Sequence, residues 1–322
     1  MLAIRQANRG LWMPRYRNNL PQLGDQRFIC HVGMETDLIF NHGVQLPGFA
    51  SFPLLYNTEH RALVWRLFSA QIELAKKNNA GVILESLTWM ANRDRAAPLG
   101  YTPEQLRQIN RDAIAFLVEL REDCGDAPTV ISGNIGPRSD AYAIADQMSP
   151  DAAQDYHAEQ VAVFAKSEAD LVSAYTIGYA KEAIGITNAA KAAEVPVVIS
   201  FTVETDGNLP TGEPLGDAIG QTDAATDSYP AYYMINCAHP EHFQDILVNA
   251  SWLHRLKGLV VNASRLSHAE LDEAEELDDG DPDELGRQMA ELHAAHPQVT
   301  VLGGCCGTDA RHMHRILVET AG

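Results

Sequence analysis

Two of the chain's five cysteines are adjacent, in the run Gly303-Gly304-Cys305-Cys306-Gly307-Thr308. An apolar β-type stretch, Val299–Leu302, leads into it. Neighbouring residues of a regular strand point to opposite faces. The flanking glycines permit backbone torsions that a residue with a side chain resists, so both sulfurs can turn toward one point. Two converging thiolates are half of a tetrahedral zinc shell. Cys237 is the best third ligand, because it ends another strand-like run that begins at Ala231. A zinc ion on three thiolates keeps one open position for a substrate thiol, which it presents as a thiolate at neutral pH. Such a thiolate can displace a methyl group from a sulfonium or quaternary ammonium donor. The plainer reading is three buried cysteines packed as small hydrophobes. It serves for Cys237 taken alone, but leaves the glycine frame of the adjacent pair without a reason. Cys30 and Cys124 lack such frames and read as core.

The rest of the chain has to bring those cysteines together. With 322 residues, 46% hydrophobic and 21% charged, it can bury a large core, in one big α/β domain or two smaller ones. A formal net charge of −19 argues against nucleic acid, whose phosphates need a basic face. No apolar run approaches the ~20 residues of a membrane span. Arg5, Arg9, Arg15 and Arg17 precede the first acid, Asp25, but the apolar core of a secretory signal is missing. Residues 1–24 therefore read as an arm and 25–322 as the catalytic domain. The expected location is cytoplasmic, with reduced thiols, and the odd cysteine count agrees.

Strand-like and helix-like segments alternate. Strands are expected at Arg27–Val32, Gly81–Leu84, Thr129–Ser132, Asp170–Ala174, Val195–Phe201, Ala231–Cys237, Leu259–Val261 and Val299–Leu302. Between them, helical stripes run over about Thr58–Asn79, from Thr102, from Ser149 to near Glu168, over Tyr179–Glu194, through Ala218, from Pro240, to about His293 and from Thr308 or Asp309. Thr102, Pro103 and Gln105 form a helix-start signature. The stretches to Pro53, Gly133–Pro137 and the acidic Glu270–Glu284 read as loops. Eight strand–helix units predict a single-domain (β/α)8 TIM barrel, whose chemistry sits at the C-terminal ends of the strands. A doubly wound sheet is the alternative, but no GxGxxG follows the first strand.

These residues resemble the homocysteine S-methyltransferase family. Gly303 to Thr308 is similar to its terminal motif, Asn236-Cys237 with Pro240 to its middle motif, and Ser132–Pro137 to its third-strand loop. Ser200-Phe201-Thr202, Asp206-Gly207 and Gly212-Glu213 resemble its fifth-strand segment. The resemblance implies a zinc cofactor on Cys237, Cys305 and Cys306, small-molecule thiol and methyl-donor partners, and a place in methionine biosynthesis. It also implies substrate contacts at His31, Gly33, Met34, Glu85, Trp89, Tyr175 and Asn236, with no catalytic residue beyond the zinc site.

Two departures bear on the substrate. Where the family has Asp-Gly-Gly-x-Gly-Thr, this chain has His31-Val32-Gly33-Met34-Glu35-Thr36, and where the family has Glu-Thr it has Tyr175-Thr176. The acids that hold the amino group of homocysteine in relatives are thus replaced. An unpaired buried ammonium is costly, so an acceptor thiol that lacks the amino group, or carries it elsewhere, is expected. Glu85 is the residue that could restore the charge. His31 and Tyr175 read equally well as a satisfied core histidine and a packing tyrosine, and Glu85 as an ordinary loop acid. Trp89, Trp65 and Tyr101 are candidates for caging a cationic donor, with Trp65 better placed for packing. Leu87-Thr88 stands where an Asn-Thr is common in the family. The chain stops soon after its last helix, which favours a sulfonium donor such as S-methylmethionine over betaine. Two other functions remain open: a zinc hydrolase, and a non-enzymatic sensor with a vicinal Cys305–Cys306 disulfide.

Overall fold

A computed structural model describes residues 13–30, 32–125, 127–248 and 251–321. Eight strands, β1 Phe28–Ile29, β2 Gly81–Glu85, β3 Thr129–Ile135, β4 Leu171–Ile177, β5 Val197–Thr202, β6 Tyr232–Asn236, β7 Leu256–Val261 and β8 Val301–Gly304, pair in sequence order. All pairings are parallel, and β1 closes the barrel against β8 through Phe28–Val301 and Ile29–Leu302. The TIM barrel expected from the alternation is the fold. Period-two alternation divides its residues between two cores. On β5, Val198 faces the barrel interior with Val130, Leu171, Met234 and Val260, while Val197, Ile199 and Phe201 pack under the helices.

The helices follow their sequence signals. Asn57 caps the helix Thr58–Lys77 by accepting from the Glu59 and His60 amides, and its buried stripe is Val64, Phe68, Gln71, Ile72 and Ala75. Thr102 and Gln105 close a capping box on Pro103–Cys124. Helices Pro150–Ala165, Ala180–Ala192, Leu215–Thr226, Pro282–Ala295 and Ala310–Glu319 complete the main outer ring.

Several boundaries differ from expectation. The Gly133-Asn134-Ile135 stretch continues β3 instead of forming a loop, because it stays in register with Val172–Ala174 of β4 while the Asn134 amide donates to Ser86 Oγ at 2.9 Å. Strand β4 runs on through Tyr175 and Thr176 after a register shift. The sixth unit has only the one-turn helix Pro240–Phe243 and a 3-10 turn, Gln244–Leu247. The stretch up to Pro53 holds short helical turns at Met34–Thr36, Asp37–Asn41 and Pro47–Phe49. Within the acidic stretch, His268–Asp272 is helical behind a Ser267–Glu270 capping box.

Residues 13–24 lie across the N-terminal end of the barrel. Leu20 enters the interior cluster with Phe28, Ile83 and Leu171. The Tyr16 amide donates to Asp170 just before β4, and Arg17 donates to the Ala165 and Ser167 carbonyls. No helix of the described residues is long and apolar enough to cross a membrane.

Candidate metal centre

The three cysteines predicted as ligands meet at the C-terminal mouth of the barrel. Cys237 follows β6, and Cys305 and Cys306 follow β8. Their sulfurs all lie within 4.8 Å of one another. A tetrahedron with Zn–S of ~2.3 Å has sulfurs about 3.8 Å apart, so a small adjustment around an ion completes the set. Cys237 and Cys305 stand in disulfide contact, with Cα atoms 5.5 Å apart, and Cys306 is outside that pair. The close contact is thus between Cys237 and Cys305, and not between the adjacent Cys305 and Cys306 of the sensor reading. Burial, followed by the charge of Glu35, pushes the Cys306 thiol up to about 11. Holding that sulfur as a thiolate at neutral pH calls for a cation, which is what a metal supplies.

Local backbone turns aim the sulfurs. Cys237 has φ +55°, a left-handed conformation that costs a side-chain-bearing residue about 1–2 kcal/mol. Its amide donates to Val260 and its carbonyl accepts from His268 Nε2 at 2.5 Å. His268 Nδ1 stands 3.2 Å from Glu204 Oε1, and the ring stacks on Tyr142 with centroids 3.8 Å apart. At the other ligands, the Cys305 amide donates to Val261, and the Cys306 carbonyl accepts from Ala263. The loop after β1 clasps this turn. The Gly33 amide donates to Thr308 Oγ1 at 3.1 Å, and the Gly307 amide to Thr36 Oγ1 at 3.2 Å. A Cβ on Gly33 would run into the Cys305 carbonyl, so glycine is required there by contact. Gly307, at φ +78°, is required by conformation.

The cysteines open onto a cavity of about 400 Å³. Of the residues predicted to touch substrate, Gly33, Trp89, Tyr175 and Asn236 line it. Met34 and Glu85 do not; they border a smaller pocket, with Phe68, Gln71 and Ile83. His31 lies outside the described residues. The Trp89 ring is held by Nε1 donating to the Tyr175 carbonyl at 3.3 Å, with Phe49 edge-on at 6.4 Å. Trp65 and Tyr101 pack against Phe116 and Phe52 away from the cavity.

The Tyr175 hydroxyl donates to Glu85 Oε1 at 3.2 Å. Burial raises Glu85 to about 7, against weaker opposing hydrogen bonds from Ser132, Tyr175 and Ser173. Asn236 accepts from the Thr176 amide (2.9 Å) and from Ser200 Oγ (2.6 Å), and donates to Thr176 Oγ1 (2.9 Å). Those bonds hold Thr176 at φ +63°.

Sequence reasoning missed much of the wall. Glu35, Phe40 and Phe49 come from the loop after β1, and Arg95, Asp140 and Tyr142 from the loops after β2 and β3. The acidic stretch, read as a solvated loop, contributes Leu271, Asp272, Ala274, Glu276, Leu277 and Asp278. Its Leu–x5–Leu spacing at 271 and 277 was the available sign that one side faces protein. Asp278 is tied back by Ser264 Oγ at 2.5 Å.

The solved structures most relevant to this arrangement are of the homocysteine methyltransferase MmuM from Escherichia coli. Its oxidized form is 19% identical, over 93% of this chain and 97% of that one, with a TM-score of 0.71. Its metallated form is 16% identical, over 92% and 96%, with a TM-score of 0.66. At that identity the likeness establishes the barrel. Among curated proteins none matches the chain significantly. The profile of the family described as Homocysteine S-methyltransferase matches residues 29–319, from β1 through the last helix and so across all three cysteines. The chain is thereby a methyltransferase and belongs to the homocysteine S-methyltransferase family.

Proposed function

We propose that the protein transfers a methyl group from a cationic donor to a thiol held on zinc by Cys237, Cys305 and Cys306. The observation that carries this is the convergence of three thiols on the wall of a cavity that also presents aromatic rings and carboxylates. Zinc, when bound, supplies the acceptor as a thiolate at neutral pH. The chain's own residues do the rest. The Trp89, Tyr142 and Tyr175 rings and the carboxylates of Asp272, Glu276 and Asp278 favour a positive donor, such as the sulfonium of S-methylmethionine. Arg95, stacked over Trp89 at 5.3 Å, suits a substrate carboxylate.

The acceptor in this reading is homocysteine or a close amino thiol. An acceptor without its amino group followed from Tyr175 and His31, but Glu35 brings a carboxylate to the cavity that those positions lack. The ligand set contains neither histidine nor carboxylate, which disfavours the hydrolase reading. The Cys237–Cys305 contact favours one competitor, reversible thiol oxidation, which excludes metal from the same sulfurs. Reduced thiols suit a reducing compartment such as the cytoplasm.

The test combines elemental analysis with a methyl-transfer assay. Reduced protein should carry one zinc per chain and convert homocysteine to methionine with S-methylmethionine, and Cys237→Ala should lose both metal and turnover. Full zinc retention in Cys237→Ala, or no turnover by the zinc-loaded protein with any sulfonium or quaternary ammonium donor, defeats the reading.

A further inference from the structure

We infer that Arg95 receives the carboxylate of the methyl donor, and so restricts the donor to a small onium compound that carries a carboxylate. The inference rests on the reading of the site as a thiol methyltransferase, and adds which of the two substrates the arginine meets.

Arg95 belongs to the one-turn helix Arg93–Ala96 after β2. Asn92 fixes that turn, its Oδ1 accepting from the Arg95 amide at 3.1 Å and from the Tyr156 hydroxyl at 2.9 Å. The guanidinium lies over the Trp89 ring and donates through Nη2 to the Ser139 carbonyl, in the loop after β3. Nε is buried without a hydrogen-bond partner, and Nη1 makes no hydrogen bond and is not buried. Among the described residues Arg95 makes no ion pair. Asp140, the carboxylate that acts on it most, is exposed and uses Oδ1 to accept from the Tyr142 and Ala143 amides. Burial, opposed chiefly by Asp140, holds the guanidinium below the usual arginine range. Arg95 is also the one arginine or lysine among the described residues lining the cavity, whose wall includes Asp272, Glu276 and Asp278. A zwitterion therefore finds carboxylates for its onium group and a single guanidinium for its carboxylate.

Position decides between donor and acceptor. Arg95 is held between the loops after β2 and β3, which in the ring of eight strands stand opposite β6 and β7. The thiols follow β6 and β8, so the arginine and the metal corner face each other across the mouth. Methyl transfer forms a bond from the acceptor sulfur to the methyl carbon. The bond from that carbon to the onium atom breaks, and its electron pair stays on the donor. Those three atoms react in line, with the donor on the side away from the metal. An acceptor tied by its sulfur to the cysteines leaves the far wall to the donor. The carboxylate on Arg95 is thus the donor's.

The test is calorimetric binding to zinc-loaded protein of S-methylmethionine, of its carboxylate-free counterpart (3-aminopropyl)dimethylsulfonium and, separately, of homocysteine. The wild type should bind S-methylmethionine the more tightly of the two donors. Arg95→Gln should weaken S-methylmethionine roughly 10- to 100-fold, the range for a hydrogen bond to a charged group, and leave the other two ligands within a factor of about two or three. Arg95→Met, which keeps an apolar stem against Trp89, serves as the second variant and should do the same, with circular dichroism checking the fold of each. The inference is overturned if the wild type shows no preference between the donors, if the preference survives in either variant, or if homocysteine is the ligand that weakens. Methyl transfer is assayed separately. A protein that keeps the Arg95-dependent preference but transfers no methyl group would sink the proposed reaction and leave this assignment standing.

Discussion

Asn236 precedes Cys237, and its side-chain amide makes three hydrogen bonds in a fully buried setting. Replacing it by alanine removes all three. The Ser200 and Thr176 hydroxyls can rotate to other acceptors, so their cost is small. The Thr176 amide cannot rotate. Left unpaired in a residue 2% exposed, it costs about 1–3 kcal/mol. The same bonds hold Thr176 in a left-handed conformation worth about 1–2 kcal/mol of strain, part of which returns when the strand end relaxes. The expected loss for Asn236→Ala is thus about 1–3 kcal/mol. Urea unfolding reads it as a lower midpoint at unchanged slope. A double-mutant cycle with Thr176→Gly tests the cause, since glycine carries no left-handed strain to release and should therefore raise the penalty of the Asn236 change. A loss under about 0.5 kcal/mol, or strict additivity with Thr176→Gly, would refute the idea that this amide holds the end of β4.

Two further expectations concern pH and metal. Glu85 is raised from 4.5 in its ordinary state to about 7, so the native protein binds its proton more tightly than the unfolded chain. Stability linked to it is full below pH 4.5 and is lost as pH rises through about 7. Glu85→Gln should accordingly flatten that decline and gain on the wild type by up to about 3 kcal/mol at pH 8, measured by urea unfolding across pH; a steeper decline in the variant would contradict it. Gly33→Ala places a methyl against the Cys305 carbonyl and should cut zinc occupancy well below one per chain while circular dichroism stays native; full occupancy would show that the turn yields.

How much of this was legible beforehand depended on whether a residue's role was local. Helix starts such as Thr102–Gln105 and Asn57 are set by bonds within a few residues, and the strands by their apolar runs, so the barrel could be read from alternation. The cysteines were legible because their glycine frame is itself a local conformation. Glu35, Tyr142 and His268 were not, since each acts on partners far along the chain, and nothing periodic surrounds them. The start of the sixth helix was legible from Pro240, which says nothing of its length, here a single turn. The acidic stretch was misread because its charge outweighed the two leucines that face the cavity.

Closure of the barrel by β8 against β1 also orders events in time. Cys237 emerges from a ribosome 68 residues ahead of Cys305, a delay of about 3–14 s at ordinary synthesis speeds. Throughout that interval the nascent chain has one of the three clustered thiols, and the turn that carries the other two is not yet made. On the proposed zinc reading, metal capture and completion of the sheet are the same late event. Under that proposal a zinc-loaded molecule certifies that its last strand has docked, and metal content would serve as a count of correctly finished chains.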